Sequence, residues 1–104
     1  MISFEEFSKL DLRVAEILEV NDHPNADKLY VLKIDLGDEQ RTLVAGLRAF
    51  YSKDELLNKK VIVLTNLEPK TFRGIESKGM LLAAEKDGKV KFLTVDIENG
   101  AKIR

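Results

Sequence analysis

The sequence predicts an all-β domain: a five-stranded Greek-key barrel with short helices and extra strands at the C-terminus. Three observations support this prediction. Apolar and polar residues alternate over short stretches, which is typical of half-buried strands. Turn residues separate these stretches at close spacing, and only two segments carry helix-start patterns. The length of 104 residues fits one domain spanning residues 1–104.

The N-terminal segment is predicted to be a short helix that runs from Ser3 to about Leu10. Ser3 and Glu6 have the spacing of a capping box, in which each side chain satisfies a backbone N–H of the other residue. The apolar residues Phe4, Phe7 and Leu10 recur every three positions. We therefore expect this helix to pack as a lid on one end of the barrel.

Three strands are predicted to follow the helix. The first covers residues 11–20 and is apolar on both faces in places, which is typical of a long, curved strand with a bulge. A turn-rich loop at 21–27 leads to the second strand at 29–36. A tight turn then returns the chain as the third strand at 40–45.

A second short helix and two further strands are predicted in the middle of the chain. Ser52 and Glu55 again have capping-box spacing, and the helix is expected to end near Leu57. The fourth strand is predicted over residues 59–65 and the fifth over 80–85. Both strands are predicted to be buried because each contains a run of apolar residues.

The C-terminal region exceeds a minimal barrel. Asp87-Gly88 is a hairpin signal that pairs the fifth strand with residues 90–95, and residues 100–104 are predicted to form a final short strand. The barrel itself is the oligonucleotide/oligosaccharide-binding (OB) fold. The apolar residues of the extra strands either complete the core or form a subunit interface. They are Val90, Phe92, Leu93, Val95, Ile97 and Ile103.

Composition excludes several classes of function. The chain has no cysteine, so it holds neither disulfides nor a thiolate metal site, and His23 is its one histidine. No carboxylate pair or nucleophile stands at catalytic spacing, so we expect no enzyme activity, no metal and no cofactor. The acidic N-terminus does not resemble a signal peptide, and no apolar run approaches the ~18 residues of a membrane helix. The expectation is a soluble, cytoplasmic protein without a membrane partner.

Charge is distributed unevenly along the chain although the net charge is only −1. Residues 1–40 carry 4 Lys/Arg against 10 Asp/Glu, residues 41–80 carry 8 against 4, and residues 81–104 carry 5 against 4. Such asymmetry is compatible with a basic face on an otherwise acidic body. The alternative is that the charges average out in three dimensions.

The positive excess coincides with a loop at residues 66–79, between two apolar runs. Lys70, Arg73 and Lys78 are spaced to reach successive phosphates, while Asn66 and Ser77 are able to donate to phosphate or sugar oxygens. Loops held by rigid strands often carry binding residues. An ordinary solvated loop with turn glycines explains the same composition, and on composition alone both interpretations stay open.

Three neighbouring residues carry similar pairs of interpretations. Met80 is either a flexible apolar contact for an unstacked base or a core residue. Phe72 either stacks on a base or folds over the barrel end. Lys28, in the loop before the second strand, is a candidate phosphate contact.

Five blocks of sequence in fixed order closely resemble the tRNA-binding domain found at the C-terminus of many methionyl-tRNA synthetases. The same domain occurs as a free-standing tRNA-binding protein and in endothelial monocyte-activating polypeptide. The resemblance covers nearly the whole chain. The blocks are Asp11-Leu12-Arg13-Val14, His23-Pro24-Asn25-Ala26-Asp27-Lys28-Leu29, Val44-Ala45-Gly46-Leu47, Asn66-Leu67-Glu68-Pro69 and Arg73-Gly74-Ile75-Glu76-Ser77-Lys78-Gly79-Met80.

The resemblance implies an OB barrel that binds tRNA by shape, largely without sequence preference, and that assists aminoacylation without catalysing it. It also implies a homodimer, built from the N-terminal helix and the extra C-terminal strands, and a possible partnership with the catalytic subunit of methionyl-tRNA synthetase. Two positions depart from the family pattern: Glu68 replaces a frequent cation, and Ala45 replaces a frequent Ser or Cys. The RNA contacts that the resemblance implies are Lys28, Asn66, Lys70, Arg73, Ser77, Lys78 and Met80.

A related dimeric branch of this fold resembles a protein-binding chaperone or export factor, which is the alternative function. The intact block from His23 to Leu29 favours the tRNA-binding branch. Because the sequence starts at Met1 directly before the domain, a complete small protein is expected, although a cropped domain would look the same.

Overall fold

The computed structural model describes all residues from Met1 to Arg104. Two short helices and nine strands make up the fold. In chain order they are α1 Phe4–Phe7, β1 Leu12–Asp22, β2 Tyr30–Asp35, β3 Gln40–Ala45, α2 Lys53–Leu56, β4 Lys60–Leu64, β5 Lys70–Phe72, β6 Ile75–Ser77, β7 Met80–Leu81, β8 Ala83–Lys86 and β9 Lys89–Phe92. None of the helices is long and apolar enough to cross a membrane.

Five strands form the central antiparallel sheet in the order β3-β2-β1-β4-β7. The sheet curls until its two edge regions meet, where the Lys78 N–H donates to the Thr42 carbonyl at 3.0 Å. The Val44 N–H also donates to the Ser77 hydroxyl at 2.9 Å. The prediction of an all-β, five-stranded barrel with short helices is therefore confirmed.

Strand β1 is the long strand around which the sheet bends. It pairs with β4 through its first half and with β2 through its second, and the register shifts between Ile17 and Glu19. The predicted bulge is thus confirmed. The first half of β1 does not pair with β2 and bonds to C-terminal residues instead. The Gly100 N–H donates to the Val14 carbonyl at 2.8 Å, and the Val14 N–H donates to the Ala101 carbonyl at 2.9 Å. The final strand predicted at 100–104 is reduced to one bridge at Lys102.

The core fills the barrel with aliphatic side chains contributed by every strand of the central sheet except β7, and by the segment around α2. Complete burial of one such side chain stabilises the fold by about 1.5–3 kcal/mol. Val90 and Phe92 of β9 pack against this core from the side, so part of the extra C-terminal region does complete it. The buried cluster consists of Ala15, Ile17, Tyr30, Leu32, Ile34, Leu36, Leu43, Leu47, Leu56, Val61 and Val63.

The first helix differs from its prediction. The capping box is present: the Glu6 N–H donates to the Ser3 hydroxyl at 3.1 Å. The helix ends at Phe7 rather than Leu10, and none of its residues is buried. Phe4 is 80% exposed. The expected lid on the barrel end is therefore wrong, because the aliphatic core is already closed without α1.

The fifth strand also differs from its prediction as one buried strand over residues 80–85. It breaks at Leu82, so only β7 stays in the barrel while β8 pairs with β9 in a separate hairpin. Ala83 and Ala84 are exposed. Their methyl groups offer little apolar area to bury, whereas Phe92 packs its ring edge-on against Tyr51 at 4.8 Å. Packing of β9 against the core therefore draws residues 83–86 out of the barrel sheet and into the separate hairpin.

Candidate nucleic-acid interface

The cationic segment at 66–79 is an ordered hairpin rather than a plain loop. Strands β5 and β6 pair through Lys70–Ser77, Thr71–Glu76 and Phe72–Ile75. Arg73 and Gly74 form the two-residue turn between them, with φ of +47° and +92°. Positive φ at both positions is the geometry of a type I′ turn, which matches the twist of the two strands. The cations are thus held on a β-ribbon of fixed shape.

His23 joins this hairpin to the loop between β1 and β2. The ring is 3% exposed. Its Nε2–H donates to the Phe72 carbonyl at 2.8 Å, and its Nδ1 accepts from the Asn25 N–H at 3.0 Å. Because a carbonyl only accepts and an amide N–H only donates, these partners select the neutral tautomer with the proton on Nε2. The Nε2 hydrogen bond joins the two segments, and the Nδ1 hydrogen bond fixes the ring within its own loop.

This connection brings together two cations that lie far apart in the sequence. Arg73 donates from Nη1 to the carbonyl of Asn25 at 3.1 Å. Arg73 and Lys28 line one open depression together with residues 25–27 and Leu29. Lys28 is exposed and forms no ion pair, so its ammonium is free to meet an anion.

Two further predicted contacts lie on the hairpin and its exit. Lys70 places its Nζ 5.0 Å from the centre of the Phe72 ring, a cation–π distance. Phe72 is therefore partly covered by Lys70 instead of presenting an open face for stacking. Lys78 is 3.8 Å from Glu76 across the exposed surface. Such exposed ion pairs contribute about 0–1 kcal/mol, so phosphate is able to replace the carboxylate.

Two predicted contacts are occupied by structural hydrogen bonds instead. Ser77 is 4% exposed. Its hydroxyl accepts from Val44 N–H at 2.9 Å and donates to the Gly79 carbonyl at 3.1 Å, which holds the barrel closed. Asn66 is exposed, but it accepts from the Asp11 N–H at 2.9 Å and donates to the Lys9 carbonyl at 2.7 Å. Both side chains position the basic segment.

An ion pair that lowers the pKa of its carboxylate lies at the base of the segment. Arg13 lies 3.1 Å from the Asp11 carboxylate. The hydrogen bond from Arg13 holds the pKa of Asp11 below its usual value. Partial desolvation opposes this effect, and a hydrogen bond from Thr65 adds to it. Asp11 therefore stays ionised at neutral pH and fixes Arg13 in place. Glu68, the acid within the basic segment, forms no ion pair and is exposed.

Met80 begins β7 and is 45% exposed, so it is a surface residue rather than a core residue. It lines an apolar groove of about 280 Å³ together with Phe50, Val44, Leu81 and other residues. The groove opens next to the end of the basic hairpin because Lys78 precedes Met80 by two positions. Met80 thus presents apolar surface close to a cationic side chain.

Sequence reasoning missed Lys33 and Arg41. They line an open cleft of about 460 Å³ with Lys78, Thr42 and further polar residues on the outer side of β2 and β3. Lys33 pairs with Thr42 in the sheet register, so both side chains point to the same face. Strict alternation with the buried Leu32 and Ile34 was the signal that placed Lys33 outward. Arg41 instead supports the barrel closure, donating from Nη1 to the Thr65 carbonyl at 2.6 Å.

Comparison with known proteins shows which family the chain belongs to. Residues 12–102 match the family model described as "Putative tRNA binding domain". The chain is 61% identical over 105 residues to the methionine–tRNA ligase of Pyrococcus furiosus and 51% identical over 106 residues to that of Nanoarchaeum equitans. Each alignment covers 99% or 100% of the chain but only 14% of the ligase.

Solved structures with the same fold carry two kinds of name. A protein from Pyrococcus horikoshii described as related to methionyl-tRNA synthetase superposes with a TM-score of 0.95 at 36% identity, covering 100% of this chain and 98% of its own. The CsaA chaperone protein of Picrophilus torridus superposes with a TM-score of 0.93 at 42% identity, with both chains covered completely. With the family model spanning most of its length, the chain belongs to the tRNA-binding domain family and is related to part of methionyl-tRNA synthetase.

Proposed function

We propose that this domain binds tRNA by shape, without catalysing a reaction, and thereby assists aminoacylation by methionyl-tRNA synthetase. One observation carries the proposal. His23 and Arg73 fasten the β1–β2 loop to the β5–β6 hairpin, so that Lys28 and Arg73 line one depression. Two cations that a duplex backbone could meet together are thus held in fixed relation.

The contacts in this proposal are mainly to phosphates. The surface consists of exposed lysines and an arginine that donate to anions, with one apolar neighbour in Met80. It offers few groups able to read base edges, and A-form RNA is recognised largely through shape and backbone. We assign direct contact to Lys28, Lys70, Arg73, Lys78 and Met80, add Lys33, and give Asn66 and Ser77 positioning roles.

The rigidity of the surface supports useful affinity despite few contacts. Ordering a flexible, rotamer-rich side chain on binding costs about 0.5–1.5 kcal/mol. Arg73 is already held by the Asn25 carbonyl and Lys70 by the Phe72 ring. Part of the entropic cost of ordering these side chains is therefore met before RNA binds. This fixed arrangement supports affinity for RNA although the net charge of the chain is −1.

A homodimer forms part of the proposal. The N-terminal region exposes Ile2, Phe4 and Leu10, and Leu67 is exposed as well. Apolar side chains gathered on one short segment are typical of an interaction surface rather than of a solvated helix. A second copy of the chain packing on α1 would cover them. Ile97 and Leu93 of the C-terminal region are exposed too and would extend such an interface.

Partnership with methionyl-tRNA synthetase follows from the relatives. The chain spans about 14% of the length of the ligases it matches. A separate or attached domain of this kind would raise the local concentration of tRNA near the catalytic site. This role would place the protein in the cytoplasm.

Binding across a salt series tests the proposal. Folded tRNA and an unstructured RNA of the same length are titrated with the protein at several salt concentrations. We expect affinity to fall steeply with salt because phosphate contacts release counterions, and folded tRNA to bind better. Equal affinity for both RNAs, or affinity that ignores salt, refutes shape recognition. Lys70→Ala and Arg73→Ala should each weaken binding without unfolding the protein.

A second candidate function is protein binding as a dimeric chaperone or export factor. The 42% identity to a protein named CsaA chaperone favours it, as does the apolar groove beside Met80. Suppression of client aggregation is the discriminating assay. Protection of an aggregating protein, combined with no detectable tRNA binding, would reverse the order of the two candidates.

A further inference from the structure

The β8–β9 hairpin carries a second cationic surface that lies outside the candidate interface. Its register pairs Lys86 with Lys89 and Ala84 with Lys91. Cross-strand partners share a face, as do residues two apart along a strand. Lys86, Lys89 and Lys91 therefore all project from the same side of the ribbon. We call these three residues the lysine face.

The opposite side of the ribbon is anchored to the barrel. Val90 and Phe92 pack against the core, and the Tyr51 hydroxyl donates to the Val90 carbonyl at 2.9 Å. Asp87 and Gly88 close the hairpin with φ of +53° and +78°, the type I′ geometry. The lysine face is thus displayed on a fixed support and points away from the core.

No acid forms an ion pair with the lysine face. None of its three lysines forms an ion pair within 4.0 Å, and all three are exposed. Asp87 is exposed in the turn between Lys86 and Lys89 but forms no ion pair with either of them. The pKa of Glu55 is lowered first by the hydrogen bonds of Ser52 and only weakly by Lys91. The Glu55 carboxylate is already occupied by the Ser52 N–H at 2.9 Å. Glu85 projects from the other face, as the partner of Val90.

The arrangement is unfavourable for an isolated protein. Like charges directly opposite each other in a sheet destabilise it, and Lys86 and Lys89 are such a pair. Lys91 adds a third positive charge about 7 Å further along the strand. A polyanion lying across the ribbon would remove this repulsion, whereas water and salt only screen it.

We propose that the lysine face is a second binding surface for the phosphate backbone of the same RNA. This inference rests on the proposed tRNA binding. The chain from Met80 to Lys86 spans at most about 20 Å, because each extended residue covers roughly 3.3–3.6 Å. A double-stranded-RNA-binding domain covers about 16 base pairs, so one folded RNA is long enough to reach both surfaces.

The lysine face also fits the proposed homodimer. Two lysine faces brought together would repel each other. We therefore expect the symmetric interface to be formed by α1 and other apolar residues, with the lysine faces outside it. Each copy then presents its own lysine face on the outside of the dimer. A bound RNA would meet the hairpin of one copy in addition to the candidate interface.

A triple variant of the full chain tests the inference. Lys86→Gln, Lys89→Gln and Lys91→Gln are combined, and tRNA affinity is measured as a function of salt. Loss of three phosphate contacts should reduce the slope of log affinity against log salt by roughly 2 to 3. At low salt we expect roughly tenfold to hundredfold weaker binding. The corresponding triple Lys→Arg variant keeps the charge and should keep both slope and affinity.

A matched control separates contact from general charge. Lys59→Gln, Lys102→Gln and Arg104→Gln together remove the same charge at exposed positions elsewhere. Melting curves check that all variants remain folded. If the lysine-face variant and the control behave alike, the inference is overturned while tRNA binding stands. If the unchanged protein binds no tRNA, both the proposed tRNA binding and the role of the lysine face are refuted. Selective capture of an acidic protein by the lysine face would count against its assignment to RNA.

Discussion

Replacing His23 by Ala removes one of the two hydrogen bonds that join the cationic loops and leaves the one from Arg73 to the Asn25 carbonyl. The Phe72 carbonyl loses a donor at 2.8 Å and the Asn25 N–H loses an acceptor at 3.0 Å. Leaving a buried polar group unpaired costs about 1–3 kcal/mol, and both groups here are partly buried, which favours the lower value. With the cavity left by the ring, we expect a loss of about 2–4 kcal/mol in the free energy of unfolding.

Thermal melting and tRNA titration measure the two consequences of this substitution. For a domain of this size, about 1 kcal/mol shifts the melting temperature by roughly 4–8 °C, so a fall of about 8–32 °C is expected. The variant should still fold at 25 °C, since domains are typically stable by about 5–15 kcal/mol. Its affinity for tRNA should drop roughly 5- to 150-fold, because Lys28 and Arg73 would have to be ordered on binding at about 1–3 kcal/mol.

Asn25→Ala is the control for His23→Ala. Asn25 contributes only its backbone N–H and carbonyl to the connection, so loss of its side chain leaves both hydrogen bonds in place. We expect this variant to match the unchanged protein in stability and affinity. A His23→Ala protein that melts early but binds tRNA as well as the control would refute the reasoning that the connection prepares the site.

Four other substitutions test three separate features. Gly79→Ala should lower the free energy of unfolding by several kcal/mol, since φ of Gly79 is +132° and an added Cβ would lie 2.9 Å from a backbone oxygen. Gly74→Ala should lower it by only about 1–2 kcal/mol, because Gly74 has a φ of +92° but open space around it. Equal melting temperatures of the two variants would contradict the crowding argument. Arg13→Gln should raise the lowered pKa of Asp11 toward 3.8. The unchanged protein holds the stabilisation from this ion pair above that pH and loses it as pH falls through the folded-state pKa. Urea unfolding from pH 6 to 2 should therefore show a smaller acid-induced loss of stability in the variant, by less than about 1 kcal/mol because both side chains are still about a third exposed to solvent. Phe4→Asp should convert the proposed dimer into monomers in analytical ultracentrifugation while leaving the melting curve of the monomer unchanged, and a monomeric unchanged protein would exclude this interface.

Local patterns in the sequence predicted much of the fold. The capping boxes at Ser3 and Ser52, the bulge in β1 and the Asp87-Gly88 turn all depend on residues close together in the chain. The break at Leu82 was not predicted because it depends on where Phe92 packs, ten positions later. The exposure of α1 was missed for a similar reason: periodic apolar residues show that a face exists and not what covers it.

The candidate site was predictable in its charges but less so in its geometry. Lys70, Arg73 and Lys78 were identifiable as cations between two strands. The occupation of Ser77 by Val44 and Gly79 depends on how the barrel closes, which no local pattern reveals. The role of His23 in joining two loops depends on its neighbour Phe72, which lies 49 positions away in the chain.

The route by which β1 obtains its last partners bears on synthesis as well as on the finished fold. Asn99 reaches Glu16 across 83 positions, and residues 100–103 supply the hydrogen bonds along the first half of β1. On the ribosome, that edge of β1 therefore stays unpaired until this last stretch has emerged. An unpaired strand edge invites pairing with other chains during that interval. A ribosome stalled before residue 99 should hold a nascent chain that protease cleaves in β1, and emergence of residues 99–103 should bring protection.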